Sequence, residues 1–549
     1  MSRGVLRNRW LGRVSYEEGW DLQRAIWEGR TSDRTSDDYL LLLEHPHTYT
    51  VGRNGDGSNL TISQDRLSDI GASMLDVDRG GDITYHGPGQ LVGYPIVAVP
   101  SVADGFDAVG HVRRIEQVLI ATLQDLGVEA WTEKGFTGVW TDKGKVAAIG
   151  VRVSRGVSTH GFAINVDPQM EYFSHIVPCG IADKPVTSLS ELLARTVSIE
   201  EVVAKLLPHV SALSEHDDSE TQLGAFARGT ATRAYEVDSM VDAGVFSPRP
   251  ADEVPVMIRG LLAGEPEKPS WMKVRVDLGD PKFMELKKLN RELALNTVCE
   301  EAGCPNIYEC WTSGTSTLML LGDTCTRACS FCDVNTGKPG VVDEEEPVRA
   351  AEAIAEMHLN YAVLTSVNRD DLEDGGATVF ARTIEEIHAR LPECDVEVLI
   401  PDFKGETEPL DIVMRAKPAV LNHNTETVLR LQREIRTAAN YARSLTLLAR
   451  AKWANPTAAT KSGLIVGMGE TDEELVGALA DLNAVGVDVV TIGQYLRPTA
   501  RHRKVDRYVH PDVFDEYRVA GESFGINHVE SGPLVRSSYH ARESLEASR

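Results

Sequence analysis

The sequence is short of cysteine, of positive charge and of long apolar runs, and each shortage removes a class of protein. Eight cysteines among 549 residues are too few, and too unevenly placed, for a secreted disulfide framework. Six fall between Cys299 and Cys332, while Cys179 and Cys394 stand apart. Lys and Arg number 56 against 82 Asp and Glu, a formal charge of -26, which argues against nucleic acid or an anionic membrane surface as partner. No apolar run approaches the roughly 18 residues that span a bilayer. Stretches such as 92–99 and 361–367 are strand-sized. Arg3, Arg7, Arg9 and Arg13 are followed by no apolar segment, so a cleaved leader is not expected. Clustered thiols in such a chain read as metal ligands in a reducing compartment, and the cytoplasm is the expected location.

The length is too great for one core, and two domains are expected. Residues 1–210 mix strand-like runs with Gly-rich turns and one amphipathic helix over 111–126, an α+β pattern. Residues 211–270, polar and acidic and then Pro-rich, read as an inter-domain region holding a short helix or two. Residues 271–549 become regular. Helices are predicted at 348–359, 378–391 and 472–485, with strands at 362–367, 396–401, 419–422, 463–467 and 489–495. The alternation implies a parallel sheet with crossover helices and a site at the C-terminal strand ends.

Cys325-x3-Cys329-x2-Cys332 lies in a loop after the apolar run 318–321. Three thiolates so spaced can bind three irons of a four-iron cluster and leave the fourth open to a bound molecule. Zinc ranks lower, because it wants four ligands and no further Cys or His stands nearby at a familiar spacing. A second triplet, Cys299-x4-Cys304-x5-Cys310, is ambiguous by itself: the six thiols could also make one zinc cluster.

Both triplets and their surroundings resemble lipoyl synthase, a radical S-adenosylmethionine enzyme. The matches include Thr365-Ser366-Val367-Asn368-Arg369-Asp370-Asp371-Leu372, Leu399-Ile400-Pro401-Asp402-Phe403, Gly493-Gln494-Tyr495-Leu496-Arg497-Pro498 and Val535-Arg536-Ser537-Ser538-Tyr539-His540. The resemblance implies a partial (β/α)6 TIM-type barrel and two 4Fe-4S clusters. Cys325, Cys329 and Cys332 would hold the cluster that binds S-adenosyl-L-methionine and generates a deoxyadenosyl radical. Cys299, Cys304 and Cys310, completed by Ser538, would hold a second cluster, consumed as the sulfur source for C6 and C8 of a protein-bound octanoyl chain. An alkoxide is a poor ligand for soft iron-sulfur chemistry, which suits a corner that must open. Asp374, Gly375 and Gly376 follow a strand and could let backbone approach the cofactor's amino group, with a plain helix-start turn nearly as well supported.

In the first block, Arg79, Gly80, Gly81, Asp82, Ile83, Thr84, Tyr85 and His86 open a Gly-rich loop that can bring backbone amides near a ligand or can form a plain tight hairpin. Lys145 heads an apolar run containing Ala148, Ile149 and Gly150, and Gly161, Phe162 and Ala163 follow. A lone cysteine such as Cys179 is more often a core residue than a nucleophile. Together, Lys145 and Cys179 could form an acid-base and nucleophile pair. The block resembles lipoyl(octanoyl) transferase, on the biotin/lipoate-ligase-like α+β fold. That implies a Cys179 thioester, Lys145 as general acid/base and an acyl pocket lined by residues 79–86, 148–150 and 161–163.

Together the two resemblances describe an acyltransferase fused to a sulfurtransferase. Expected partners are octanoyl-acyl carrier protein, lipoyl domains of 2-oxoacid dehydrogenase E2 subunits, glycine cleavage H protein and an electron donor. Another sulfur-inserting radical enzyme would not need the second triplet, and an iron-sulfur electron carrier would leave S-adenosylmethionine uncleaved. Carrier docking would fall to local basic residues such as Arg113, Arg114, Arg152, Arg155, Arg497, Arg501, Arg503 and Lys504.

Overall fold

The protein is described by a computed structural model over residues 4–103, 105–177, 185–226, 266–272, 281–301, 304–312 and 317–549. It divides into two units, Met1–Ala243 and Gly244–Arg549. No described helix is long and apolar enough to cross a membrane.

The N-terminal unit is built on an eight-stranded sheet. Its order is Ser219–Leu223, Leu6–Arg13, Asp38–Glu44, Gln90–Ile96, Val157–Asn165, Gly144–Ser154, Phe136–Thr141 and Trp131–Glu133. Alternate residues face alternate sides. Leu40 and Leu42 join Ile115, Leu119 and Leu123 of the helix Ala108–Asp125 in one core. Leu43 points the other way, toward Gly19 of the helix Tyr16–Thr31. Ser15 and Glu18 start that helix with reciprocal side-chain caps. Thr48–Val51, Ser73–Asp76 and Ile83–His86 form a separate three-stranded sheet.

Residues 211–226 belong to this unit, so the inter-domain region begins later than the sequence suggested. Ser219–Leu223 pairs parallel with Leu6–Arg13, and its Glu220 is buried with two arginines. Arg7 Nη1 and Arg9 Nη2 reach Glu220 Oε2 at 2.5 and 2.8 Å, and Arg7 Nε reaches Asp37 Oδ2 at 2.5 Å. Burial pushes the Glu220 carboxyl up, but Arg9 and Arg7 outweigh it and hold it at about 2. A strand whose inward residue is ionic carries no apolar alternation, which is why it read as a linker.

In the C-terminal unit seven parallel strands run in chain order: Thr317–Leu320, Tyr361–Ser366, Asp395–Leu399, Val420–Asn422, Ala459–Val466, Val489–Gln494 and His528–Gly532. Asn296–Thr297 adds a short antiparallel edge. Crossover helices include Glu346–Glu356, Ala377–Arg390, Thr407–Arg415, Tyr441–Ala454, Asp472–Ala484 and Pro511–Phe524. The expected six strands are thus joined by a seventh. In that strand Val529 is buried while its neighbours are partly exposed, too weak an apolar signal to read from sequence. Cys394 packs in this unit's core as a small hydrophobe.

Candidate active sites

A cavity of about 660 Å³ opens at the C-terminal ends of the parallel strands, a size that suits a small-molecule ligand. Cys299, Cys304, Cys325, Cys329, Cys332 and Ser538 all line it. Cys310 lies on the helix Ile307–Thr312, with its side chain outside the described residues. Cys299 and Cys304 of the second triplet, ambiguous in sequence, thus open on the same chamber as the whole first triplet.

Backbone and side-chain bonds fix the first cysteine loop. Thr326 donates from both its amide and its hydroxyl to the Asn368 carbonyl, each at 3.0 Å. Arg327 makes a fork to Asp370 at 2.7 and 2.9 Å and also reaches Asp402 at 2.7 Å. Burial raises the Asp402 carboxyl, but the bond from Arg327 prevails and holds it at about 2. The Ser330 amide donates to Ile435 O at 3.0 Å and the Arg503 amide to Ser330 O at 3.0 Å. His502 Nε2 donates to Cys332 O at 2.9 Å. The segment around residues 502–503 is thus bonded to the cysteine loop. Sequence reading missed Arg327, Asp370 and Asp402 as a unit, although each lies in a motif it had picked out.

Burial pushes the thiols of Cys299 and Cys332 up to about 11 and about 12, and raises those of Cys304 and Cys329. Such thiols are poor nucleophiles. Metal binding replaces their protons and removes the cost of ionising them, so the donor set fits iron-sulfur clusters. Among the described residues no three His, Cys, Asp or Glu groups converge on a single metal ion. A four-iron cluster instead takes one thiolate per iron and keeps its ligands apart.

The second set is assembled from distant segments. The Cys304 amide donates to Cys299 O at 3.0 Å. Asn306, two residues on, donates from Nδ2 to Leu534 O at 2.6 Å, and Asn424 Nδ2 donates to Ser537 Oγ at 2.7 Å. These two bonds hold Ser538 at the cavity wall.

Asp374, Gly375 and Gly376 do not line this cavity. Asp374 accepts from the amides of Gly376 and Thr378 at 2.9 and 2.8 Å, starting the helix Ala377–Arg390. Gly376 has φ +91°, and a Cβ there would lie 2.2 Å from Leu321 Cδ1. The Asp374 side chain thus serves the helix start.

In the N-terminal unit a β-bulge aims Lys145. Val139 pairs with Ala147 and Trp140 with Lys145, leaving Val146 extra. Val146 and Ala147 both enter the core, which returns Lys145 to the face carrying Ala148 and Gly150. Lys145 Nζ sits 4.7 Å from the centre of the Trp140 ring. The Lys145 amide donates to Pro185 O at 2.9 Å, and the Thr187 amide to Lys145 O at 3.0 Å. Cys179 lies outside the described residues.

The expected acyl pocket is brought together in part. Ala148 pairs with Ala163, Ile149 with Phe162 and Gly150 with Gly161. A Cβ on Gly150 would lie 3.0 Å from Gly80 O and 3.4 Å from Arg79 Cδ, so the loop rests on that strand. Arg79 is turned inward, its Nη2 donating to Thr50 O at 2.6 Å, and Asp82 Oδ2 accepts from Asn59 Nδ2 at 2.5 Å. Ile83, Thr84, Tyr85 and His86 form a strand against Thr48–Val51. Ile149 and Phe162 face the helix-covered core instead, as the two-residue period requires.

Several expected docking residues are engaged within the unit. Arg152 and His160 both bind Asp78, the latter at 2.7 Å. Arg113 pairs with Glu116, and Arg155 stacks over Trp27.

Residues 15–211 match the lipoyl protein ligase A/B catalytic domain, and residues 319–482 match the radical SAM superfamily. The lipoyl synthase of Koribacter versatilis is 54% identical over 282 residues, 51% of this chain and 92% of that protein. The lipoyl synthase of Rubrobacter xylanophilus is 53% identical over 286 residues, 52% of this chain and 89% of that protein. A putative lipoate protein ligase from T. acidophilum with bound lipoic acid aligns at TM-score 0.33 and 15% identity, over 40% of this chain and 90% of its own.

Proposed function

Because the chain belongs, through its C-terminal half, to the lipoyl synthase family, we propose that it is a bifunctional enzyme of lipoate biosynthesis, transferring octanoyl groups with one unit and inserting two sulfurs with the other. The observation that carries this reading is the single chamber lined by members of both cysteine triplets and by Ser538.

In the C-terminal unit Cys325, Cys329 and Cys332 hold one 4Fe-4S cluster, and Cys299, Cys304, Cys310 and Ser538 hold the other. When bound, the first with S-adenosyl-L-methionine supplies a deoxyadenosyl radical by reductive cleavage, and the second supplies sulfur for C6 and C8 of the octanoyl chain. Arg327 keeps the first cysteine loop at the strand ends through Asp370 and Asp402. The loop through His502 and Arg503 shields it from bulk water.

In the N-terminal unit Cys179 takes octanoate from octanoyl-acyl carrier protein as a thioester, and Lys145 accepts and returns the protons. Support comes from Lys145 facing the same side as Ala148 and Gly150, and from the chain at 185–187, just after Cys179, running along Lys145. The Arg79–Gly81 backbone lies over Gly150 as a pocket wall. Exchange of one thioester for another is nearly balanced and the final amide is downhill, so no ATP is needed. The acyl acceptors are lysines of lipoyl domains of 2-oxoacid dehydrogenase E2 subunits and of glycine cleavage H protein. An electron donor completes the partners, and the clustered thiols support a reducing, cytoplasmic location.

Anaerobic reconstitution with iron counting tests the cluster content, with about eight irons per chain expected. Mass spectrometry of a lipoyl domain incubated with octanoyl-acyl carrier protein, reductant and S-adenosylmethionine tests the chemistry. Cys179→Ser should stop octanoylation but not sulfur insertion into a pre-octanoylated domain. Cys299→Ala should do the reverse, and unchanged products in either variant would overturn the division of labour.

A further inference from the structure

The three segments expected to line the acyl pocket meet at a side chain that belongs to none of them. Residues 148–150 and 161–163 lie on paired strands, and residues 79–86 begin in the loop that rests on Gly150. Asp78, just before that loop, accepts from both strands: from Arg152 on one and from His160 Nε2, at 2.7 Å, on the other. The loop's backbone bond to the strands is long, from the Gly80 amide to Val151 O at 3.3 Å.

His160 is built around this bond. Its side chain is 2% exposed. Its backbone has φ +56°, a conformation that glycine adopts freely and a residue with a side chain adopts at a cost. The contacts of the ring must offset that cost. The His160 amide donates to Gln23 Oε1 at 2.7 Å, in the helix Tyr16–Thr31, while ring atom Nδ1 has no hydrogen-bond partner among the described residues. The bond to Asp78 therefore orients the ring. On the other side of that bond, His160 lowers the Asp78 carboxyl more than burial raises it, and Arg152 adds to the lowering, leaving it at about 2. An ionised carboxylate only accepts, so Nε2 carries the ring proton.

We infer that His160 is a positioning residue for octanoyl transfer: its bond to Asp78 sets the Arg79–Gly81 loop against Gly150 and so fixes the wall along which a long acyl chain lies. This rests on the octanoyltransferase reading given above. His160 acts through Asp78 and has no part in the chemistry itself.

The test measures transfer by the full chain from octanoyl- and hexanoyl-acyl carrier protein to a lipoyl domain, followed by mass spectrometry. No transfer by the parent, or transfer unaffected by Cys179→Ser, would overturn the octanoyltransferase reading and this inference with it. With the parent active, the remaining outcomes bear on His160 alone. H160L keeps the bulk and the backbone conformation but loses the donor, and should raise KM for the octanoyl donor about tenfold, with kcat changed far less. The ratio of kcat/KM for octanoyl over hexanoyl donors should fall as well, because the longer chain touches more of the wall. H160Q places an N–H near the position of Nε2 and should stay close to the parent. An unchanged donor ratio in H160L would overturn the inference whatever the loss of activity, because a protein that is merely less folded loses both donors equally. H160Q behaving like H160L would overturn it too, since shape rather than the bond would then matter. Asp78 is partly exposed, so D78A reaches the same bond where H160L fails to fold, and it should lower the donor ratio in the same way. H160L/D78A should be no worse than D78A. The parent's ratio in D78A, or additive losses in the double variant, would refute the proposal.

Discussion

In the C-terminal unit the reactive groups come from segments far apart in the chain, gathered on loops at the ends of parallel strands. Asn306 and Leu534, which close the second cysteine set, are 228 residues apart. In the N-terminal unit Lys145, Ala148 and Gly150 share one strand, and their common face is produced by a single extra residue, Val146. The first design tolerates local variation but needs the whole sheet. The second needs little of the chain but depends on the register of one strand.

If the two sites are independent, damage to one should leave the other intact. The largest expected effect is at the first cysteine loop: Cys329→Ala should reduce S-adenosylmethionine cleavage and sulfur insertion to background, with octanoyl transfer unchanged by mass spectrometry. Transfer that fell in parallel would mean the units share a site. Lys145→Met should lower octanoyl transfer by roughly 10²–10⁴-fold, the range of general acid-base catalysis, while a pre-octanoylated carrier is still converted. Equal transfer rates in Lys145→Met and the parent would remove Lys145 from the proton path.

A third prediction compares foundations instead of chemistry. Glu220→Gln removes the buried carboxylate that Arg7 and Arg9 share, while Arg7 keeps Asp37, and should destabilise the N-terminal unit by about 3–5 kcal/mol, read as an earlier first transition in thermal unfolding. The sign with pH follows from the depressed carboxyl, at about 2 against an ordinary 4.5. Its stabilising contribution is complete above about 4.5 and is lost as pH falls toward 2. Glu220→Gln should flatten that acid limb; an unaltered limb would show that other carboxylates govern it. The smallest effect is expected at Gly150→Ala, whose methyl would press on Gly80 O. A rise of a few-fold in KM for long acyl donors, with kcat for short ones preserved, would mark the pocket wall, on the order of 1 kcal/mol or less.

Where the sequence could be read and where it could not follows the same division. Parallel strands with continuous apolar runs, such as Tyr361–Ser366 and Val489–Gln494, were visible because both of their faces are buried. The cysteines were visible because their chemistry is rare. Ser219–Leu223 was missed because its inward group is an ion, and His528–Gly532 because little of it is enclosed. The turn at Asp374 reads from sequence either as backbone close to a cofactor or as a plain helix start, and its carboxylate serves the helix. The bulge at Val146 left no mark, since Val146 and Ala147 look like any apolar pair. Arg327 was passed over because its value lies in partners 43 and 75 residues away.

The bond from Asn306 to Leu534 also says something about the order of assembly. Closing so long a loop is entropically expensive and follows the formation of the intervening sheet. A chain halted between residues 494 and 527 would carry both cysteine triplets and six of the seven parallel strands, yet have no final wall around them. Iron delivered at that stage would meet an open bowl instead of a chamber, so cluster loading is best timed after the last strand has docked.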